Sequence, residues 1–139
     1  MKALNVGVFK RVSYQLDDVK GICVIAEENV SSGELVEICA TLAISPQQTH
    51  LTDQTPLYHI VYTAQDGRSD LVVFGSGSLF NHNANANLTY QSFMEHDRHF
   101  VRFIATKNVI AGEELTINYY DDTANEPNFN LIYDPKKSR

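Results

Sequence analysis

The chain has 139 residues, 43% apolar and 20% charged, which fits one globular domain able to bury its own core. Its net charge of −6 excludes a general nucleic-acid binder, which needs a basic face to displace phosphate counterions. No apolar run nears membrane-spanning length, and none of signal-peptide length follows Lys2, so an intracellular setting without membrane contact is expected.

Along the chain, Val6 to Val12 is rich in β-branched and aromatic residues and reads as a strand, followed by a polar loop from Gln15 to Gly21. Ile22 to Ala26 and Glu34 to Ile38 read as strands around the turn Asn29-Val30-Ser31-Ser32-Gly33. Ser45-Pro46 starts a short helix through Gln48, since proline is tolerated in a first turn. Leu57 to Ala64 alternates, which places Tyr58, Ile60 and Tyr62 on one strand face. Asp66-Gly67 marks a hairpin turn before a strand from Asp70 to Phe74. Two further strands, Leu88 to Met94 and Phe100 to Ile104, flank the charged turn Glu95 to His99. Asn29 to Leu35 is echoed by Asn108 to Leu115, each with a glycine that lets the backbone reverse before a strand. The segment from Thr123 to Arg139 is irregular, with Phe129, Leu131 and Tyr133 available to dock. Many short strands and no long 3.6-residue period make the chain mainly β.

Cys23 and Cys39 are too few and too scattered for a disulfide framework, and read as small core thiols. His96 and His99 lie close together but lack a third ligand, so no metal is expected. Gly75-Ser76-Gly77-Ser78 lacks the closing glycine of a nucleophile elbow, and no phosphate-binding loop occurs. Two segments carry more chemistry. Phe80-Asn81-His82-Asn83, followed by Asn85 and Asn87, packs neutral amides and one imidazole into a turn that can hold amino and carboxylate groups of a ligand. The same asparagines also suit tight turns, and on this segment alone turn-shaping is the stronger account of them. Gly112-Glu113-Glu114-Leu115-Thr116-Ile117-Asn118-Tyr119 ends a strand on a tyrosine, whose hydroxyl, with an unperturbed pKa near 10, suits positioning better than proton abstraction.

With Lys20-Gly21-Ile22-Cys23-Val24-Ile25-Ala26 and Glu34-Leu35-Val36-Glu37, these segments resemble, in order, the motifs of SET-domain protein lysine methyltransferases, and look most like the compact stand-alone type of viruses and bacteria. The likeness spans residues 6 to 122, giving a SET-like domain at 1–122 and a tail at 123–139 that docks over the site. It implies a β-clip fold of several small sheets with a C-terminal pseudoknot. It implies S-adenosylmethionine as cofactor, held by Lys20, Gly21, Ile22, Asn81 and His82, and Tyr119 as the catalytic residue. Tyr58 and its rival Tyr62 are the candidates for the wall of a lysine channel. The implied substrate is a lysine-containing protein or peptide, such as a basic histone-like tail, which the acidic balance suits. A homodimer is among the expected assemblies. Val19 stands where the family has the first glycine of its first motif. Asn83, Ala84 and Ala86 replace its Ser, Cys and Pro, and Tyr120 replaces the glycine after the catalytic tyrosine. The cysteine-rich zinc modules that flank many relatives are missing. Two alternatives stand beside this reading: a SET fold that binds a peptide or cofactor without turnover, and an unrelated small β protein.

Overall fold

Runs of β-branched and aromatic residues, punctuated by Gly, Asn and Asp, fold into short strands because each can bury one face while its turns satisfy the backbone. The computed structural model describes residues 1–120; the expected tail at 123–139, with Phe129, Leu131 and Tyr133, lies outside them. The strands are β1 (Gly7–Val8), β2 (Val12–Asp17), β3 (Gly21–Ala26), β4 (Leu35–Ile44), β5 (Val61–Thr63), β6 (Asp70–Val73), β7 (Asn81–His82), β8 (Leu88–Glu95), β9 (Arg98–Ala105) and β10 (Thr116–Ile117). The helical pieces among the described residues are α1 (Thr49–Thr52) and 3-10 turns at Pro56–His59 and Gly75–Ser78.

A six-stranded sheet runs β5–β6–β4–β9–β8, with β1 paired beside β4. One sheet face buries Val36, Cys39, Val101 and Phe103 into the main core, and the other buries Ile38, Phe100 and Ile104 into a smaller one. β2 and β3 form a hairpin, and β7 and β10 form a parallel pair. The chain is therefore mainly β, in several small sheets, as the sequence pattern and the resemblance lead one to expect. Both cysteines are buried free thiols, and burial pushes Cys39 up to about 12, which leaves it inert.

Four local readings change. The run Val6 to Val12 is not one strand: β1 covers Gly7–Val8, and β2 starts at Val12. The stretch 15–21 is not a loop: β2 continues to Asp17, whose Oδ1 accepts from the amides of Val19 and Lys20, both at 2.8 Å, and so closes a tight turn. Its polar residues simply face solvent on a two-stranded hairpin. The helix expected at Ser45 to Gln48 forms one step later, at Thr49–Thr52. The strand expected from Leu57 begins only at Val61, because Thr55 caps a 3-10 turn by accepting from Leu57 N and Pro56 fixes the first turn. Tyr58 and Tyr62 therefore do not share a strand face.

The repeated turn is a structural pair. Val30 and Val109 exchange both backbone hydrogen bonds, at 2.9 and 2.8 Å. Asn29 Oδ1 accepts from Ala111 N and Asn108 Oδ1 accepts from Ser32 N, each at 2.9 Å, a reciprocal arrangement that follows the sequence echo residue for residue. Gly33 and Gly112 take φ of +88° and +97°, which glycine adopts without strain.

The loop that feeds β7 is wedged tightly. A Cβ on Gly77 would lie 2.5 Å from Val73 Cγ1 and 2.7 Å from a ring carbon of Phe103, both in the core. Glu37 lies buried beneath the same loop, accepting a long 3.4 Å hydrogen bond from Ser76 N. Burial raises its carboxyl above the ordinary value, so the folded state favours the protonated form.

Two measurements test this wedge. Gly77→Ala overpacks the core and is expected to cost about 1–3 kcal/mol in urea unfolding; a loss within about 0.3 kcal/mol would show that the turn yields freely. The stability that the raised Glu37 carboxyl contributes is complete below its unfolded value and is lost as pH rises through the folded value. Glu37→Gln is therefore expected to gain on the wild type in urea unfolding as pH rises from 4 to 8, whereas a constant difference would mean that Glu37 titrates normally.

Candidate active site

Asn81 and His82 lie in β7, parallel to Thr116 and Ile117 of β10, and this pairing brings Tyr119 to the end of the Asn-rich loop. Tyr119 is fastened twice. Its amide donates to His82 Nδ1 at 3.1 Å and its hydroxyl donates to the Phe80 carbonyl at 2.9 Å. The His82 ring packs between Tyr119 and Tyr120, 5.2 Å from each ring centre. Burial raises the Tyr119 hydroxyl above its usual value, so at neutral pH it is a phenol rather than a base.

Asn81 faces the other way. Its Nδ2 donates to the Ile22 carbonyl at 3.0 Å and to Glu114 Oε2 at 2.8 Å, with Cys23 Sγ at 3.4 Å. A carbonyl and a carboxylate can only accept, so chemistry orients the amide and leaves Oδ1 as its acceptor for a ligand. Lys20 Nζ binds Glu114 Oε1 at 2.7 Å while its side chain stays 55% exposed. Gly21 takes φ of +80° at the end of the hairpin, and a Cβ there would meet nothing within 4 Å. Burial raises the Glu114 carboxyl, but hydrogen bonds from Lys20, Asn81 and Cys23 outweigh it and hold the group below its ordinary value. Lys20 rises in turn, first through its hydrogen bond to Glu114.

Beside Tyr119 opens a cavity of about 280 Å³, walled by Tyr58, Tyr62, Tyr90, Tyr119 and Tyr120 with Phe80 and Ile117. Tyr62 is buried, packs edge-on to Tyr90 at 4.7 Å and donates its hydroxyl to the Gly77 carbonyl at 2.5 Å. Burial lifts the Tyr62 hydroxyl well above its usual value. Tyr58 reaches the cavity from the 3-10 turn, mostly exposed. The wall is thus rich in tyrosine and carries no carboxylate, lysine or arginine, and its aromatic faces attract cations without adding a formal charge.

The structure places the expected cofactor-binding and catalytic residues in two neighbouring groups. Lys20 and Asn81 join through Glu114, the Ile22 carbonyl joins them by accepting from Asn81, Gly21 lies between Lys20 and Ile22, and His82 and Tyr119 are in contact. Tyr58 and Tyr62 line one cavity from different elements. Glu114, Tyr90 and the carbonyls of Phe80 and Gly77 were missed. Glu114 stood in a motif already singled out; the two carbonyls leave no mark in a side-chain pattern. Of the asparagines, Asn83 shapes the turn by accepting from Asn85 N at 2.8 Å. Asn87 does something else: it is buried, donates to Glu114 O and accepts from Thr116 N, both at 2.9 Å. Among the described residues no group of three or more His, Cys, Asp or Glu is placed to hold a metal ion.

Residues 21–120 match the SET domain as a sequence family. No curated protein sequence matches the chain significantly. Solved structures do. A Plasmodium falciparum protein assigned as a histone methyltransferase superposes with a TM-score of 0.66 at 22% identity, over 81% of this chain and 95% of that one. CpSET8 from Cryptosporidium gives 0.68 at 23% identity, over 81% of this chain and 58% of that one. The polycomb repressive complex 2 of Chaetomium thermophilum bound to S-adenosylmethionine gives 0.66 at 22% identity, over 81% of this chain but 15% of that one. At these identities the likeness establishes a shared fold, and with the sequence match over most of its length the chain belongs to the SET-domain family.

Proposed function

We propose that this protein transfers a methyl group from S-adenosylmethionine to a lysine side chain of a protein substrate. The observation that carries the reading is the Tyr119 hydroxyl held on the Phe80 carbonyl, one residue before Asn81, so that an amine-aligning phenol after β10 is fastened beside the loop that presents a ligand-binding amide. The donor set fits the cofactor. Asn81 Oδ1 is an acceptor for its amino group, the backbone of Lys20, Gly21 and Ile22 would run along its methionine part, and His82 would meet the adenine, largely through backbone. The tyrosine-rich wall suits a cationic sulfur on one side and a lysine side chain on the other. A solved relative from Chaetomium thermophilum carries S-adenosylmethionine, and another form of that complex is described with H3K27me3 and H3K27M, which supports both the cofactor and a basic histone-like tail as substrate.

Bound S-adenosylmethionine supplies a methyl on a positively charged sulfur. The protein's part is alignment and electrostatics. Tyr58, Tyr62 and Tyr90 wall the cavity in which the lysine stem would lie. The lysine must arrive deprotonated, its proton given to water, because the Tyr119 hydroxyl is protonated and committed to Phe80. As positive charge moves to the lysine nitrogen, the Tyr119 oxygen and the neighbouring carbonyls lie ready to stabilise it.

Calorimetry with S-adenosylmethionine and transfer of a labelled methyl to a mixed protein pool test the reading. The wild type is expected to bind and transfer. Tyr119→Phe is expected to bind the cofactor within about twofold and to lose transfer on the order of 10²-fold or more. Unchanged transfer would misplace the catalytic hydroxyl, and cofactor binding without transfer by the wild type would instead make this a binding module.

A further inference from the structure

Glu114 touches neither the tyrosine cavity nor the face of Asn81 left for a ligand, yet two parts of the site converge on it. The segment from Glu113 to Leu115 pairs along the edge of β3: Ala26 N donates to Glu113 O at 2.9 Å, and Leu115 N donates to Val24 O at 2.8 Å. That pairing, with the bridge between Ile25 and Glu114, places the carboxylate between β3 and β7. Its two oxygens are divided, Oε1 to Lys20 Nζ at 2.7 Å and Oε2 to Asn81 Nδ2 at 2.8 Å. The carboxylate is mostly buried, at 17% exposure, while the lysine it holds remains open to solvent.

This division does two separate things. The Ile22 carbonyl and Glu114 Oε2 consume the two hydrogens of the Asn81 amide, so Oδ1 alone is left for a ligand, as an acceptor for an ammonium. Oε1 meanwhile tethers a long, flexible ammonium that would otherwise sample many rotamers, with two of its three hydrogens free for an anion. An acceptor for an ammonium and a donor for a carboxylate are thus fixed by one side chain, which is the complement of a zwitterionic α-amino acid.

We propose that Glu114 is the positioning residue for the amino-acid end of the cofactor, setting Asn81 to receive its ammonium and Lys20 to receive its carboxylate. This rests on the reading of S-adenosylmethionine as cofactor. Glu114→Gln keeps the size of the side chain but brings an amide donor against a site where both neighbours also donate. Either the Lys20 tether or the Asn81 orientation is then lost. Glu114→Asp keeps the charge with a shorter reach and restores part of the function.

The test compares two ligands on purified full-length protein. S-adenosylhomocysteine carries the zwitterion; 5′-methylthioadenosine carries the same nucleoside and thioether without it. Binding of the first is measured by calorimetry and of the second by ligand-observed NMR at millimolar concentration, with melting temperature as the check on folding. Glu114→Gln is expected to weaken S-adenosylhomocysteine about tenfold or more, to leave 5′-methylthioadenosine within about twofold, and to recover partly as Glu114→Asp. If Glu114→Gln does not fold, Lys20→Met, on an exposed side chain, is expected to show the same selective loss. Equal weakening of both ligands, or S-adenosylhomocysteine binding within twofold of the wild type, overturns the inference. Failure of the wild type to bind either ligand overturns the cofactor reading instead.

Discussion

The site depends on one buried amide. β7 and β10 are each two residues long, too short to hold themselves together as a parallel pair. Asn87 replaces the missing ladder, donating to Glu114 O and accepting from Thr116 N, and so occupies backbone groups on both sides of the entry to β10. Backbone groups left unpaired in a buried place are costly, which is why a single side chain can dictate where the strand lies. Through Thr116 that clamp sets the start of the segment that carries Tyr119.

A second constraint acts from the opposite side. The Gly75–Ser78 turn sits on Phe103 and Val73 with no room for a Cβ at Gly77, and Tyr62 ties its hydroxyl to the Gly77 carbonyl. The loop that presents Phe80 and Asn81 is thus pinned between the main sheet below and β10 beside it. Rigidity of this kind is what alignment of two reacting groups needs, since the reaction gains from geometry and not from an acid or base of the protein.

Much of this was legible in the residues. The strands came from alternation and β-branching, and their turns from Gly, Asn and Asp. The Asn81-His82 and Tyr119 segments were visible as chemistry, and their order carried the resemblance. The errors have common causes. Polar alternation in β2 looked like loop because its exposed face carries Gln15 and Asp17. Tyr58 looked like strand because alternation outvoted the local Thr55-Pro56 cap. Glu114 was passed over because a carboxylate in a charged motif reads as solvated; only the long-range pairing of 113–115 with β3 turns it inward. Contacts of that range, and backbone carbonyls used as acceptors, leave little trace in local pattern.

The reciprocal turns have a consequence in time. Asn29 and Asn108 each complete the other's turn across more than half of the chain. As the polypeptide leaves the ribosome, the first turn has no counterpart until residue 112 has emerged, by which point the central sheet can already be complete. Closure of the pair and arrival of Tyr119 then fall within a few residues of synthesis of one another. The centre therefore assembles only after the central sheet, and a fragment released before residue 119 lacks it altogether rather than carrying a half-working one.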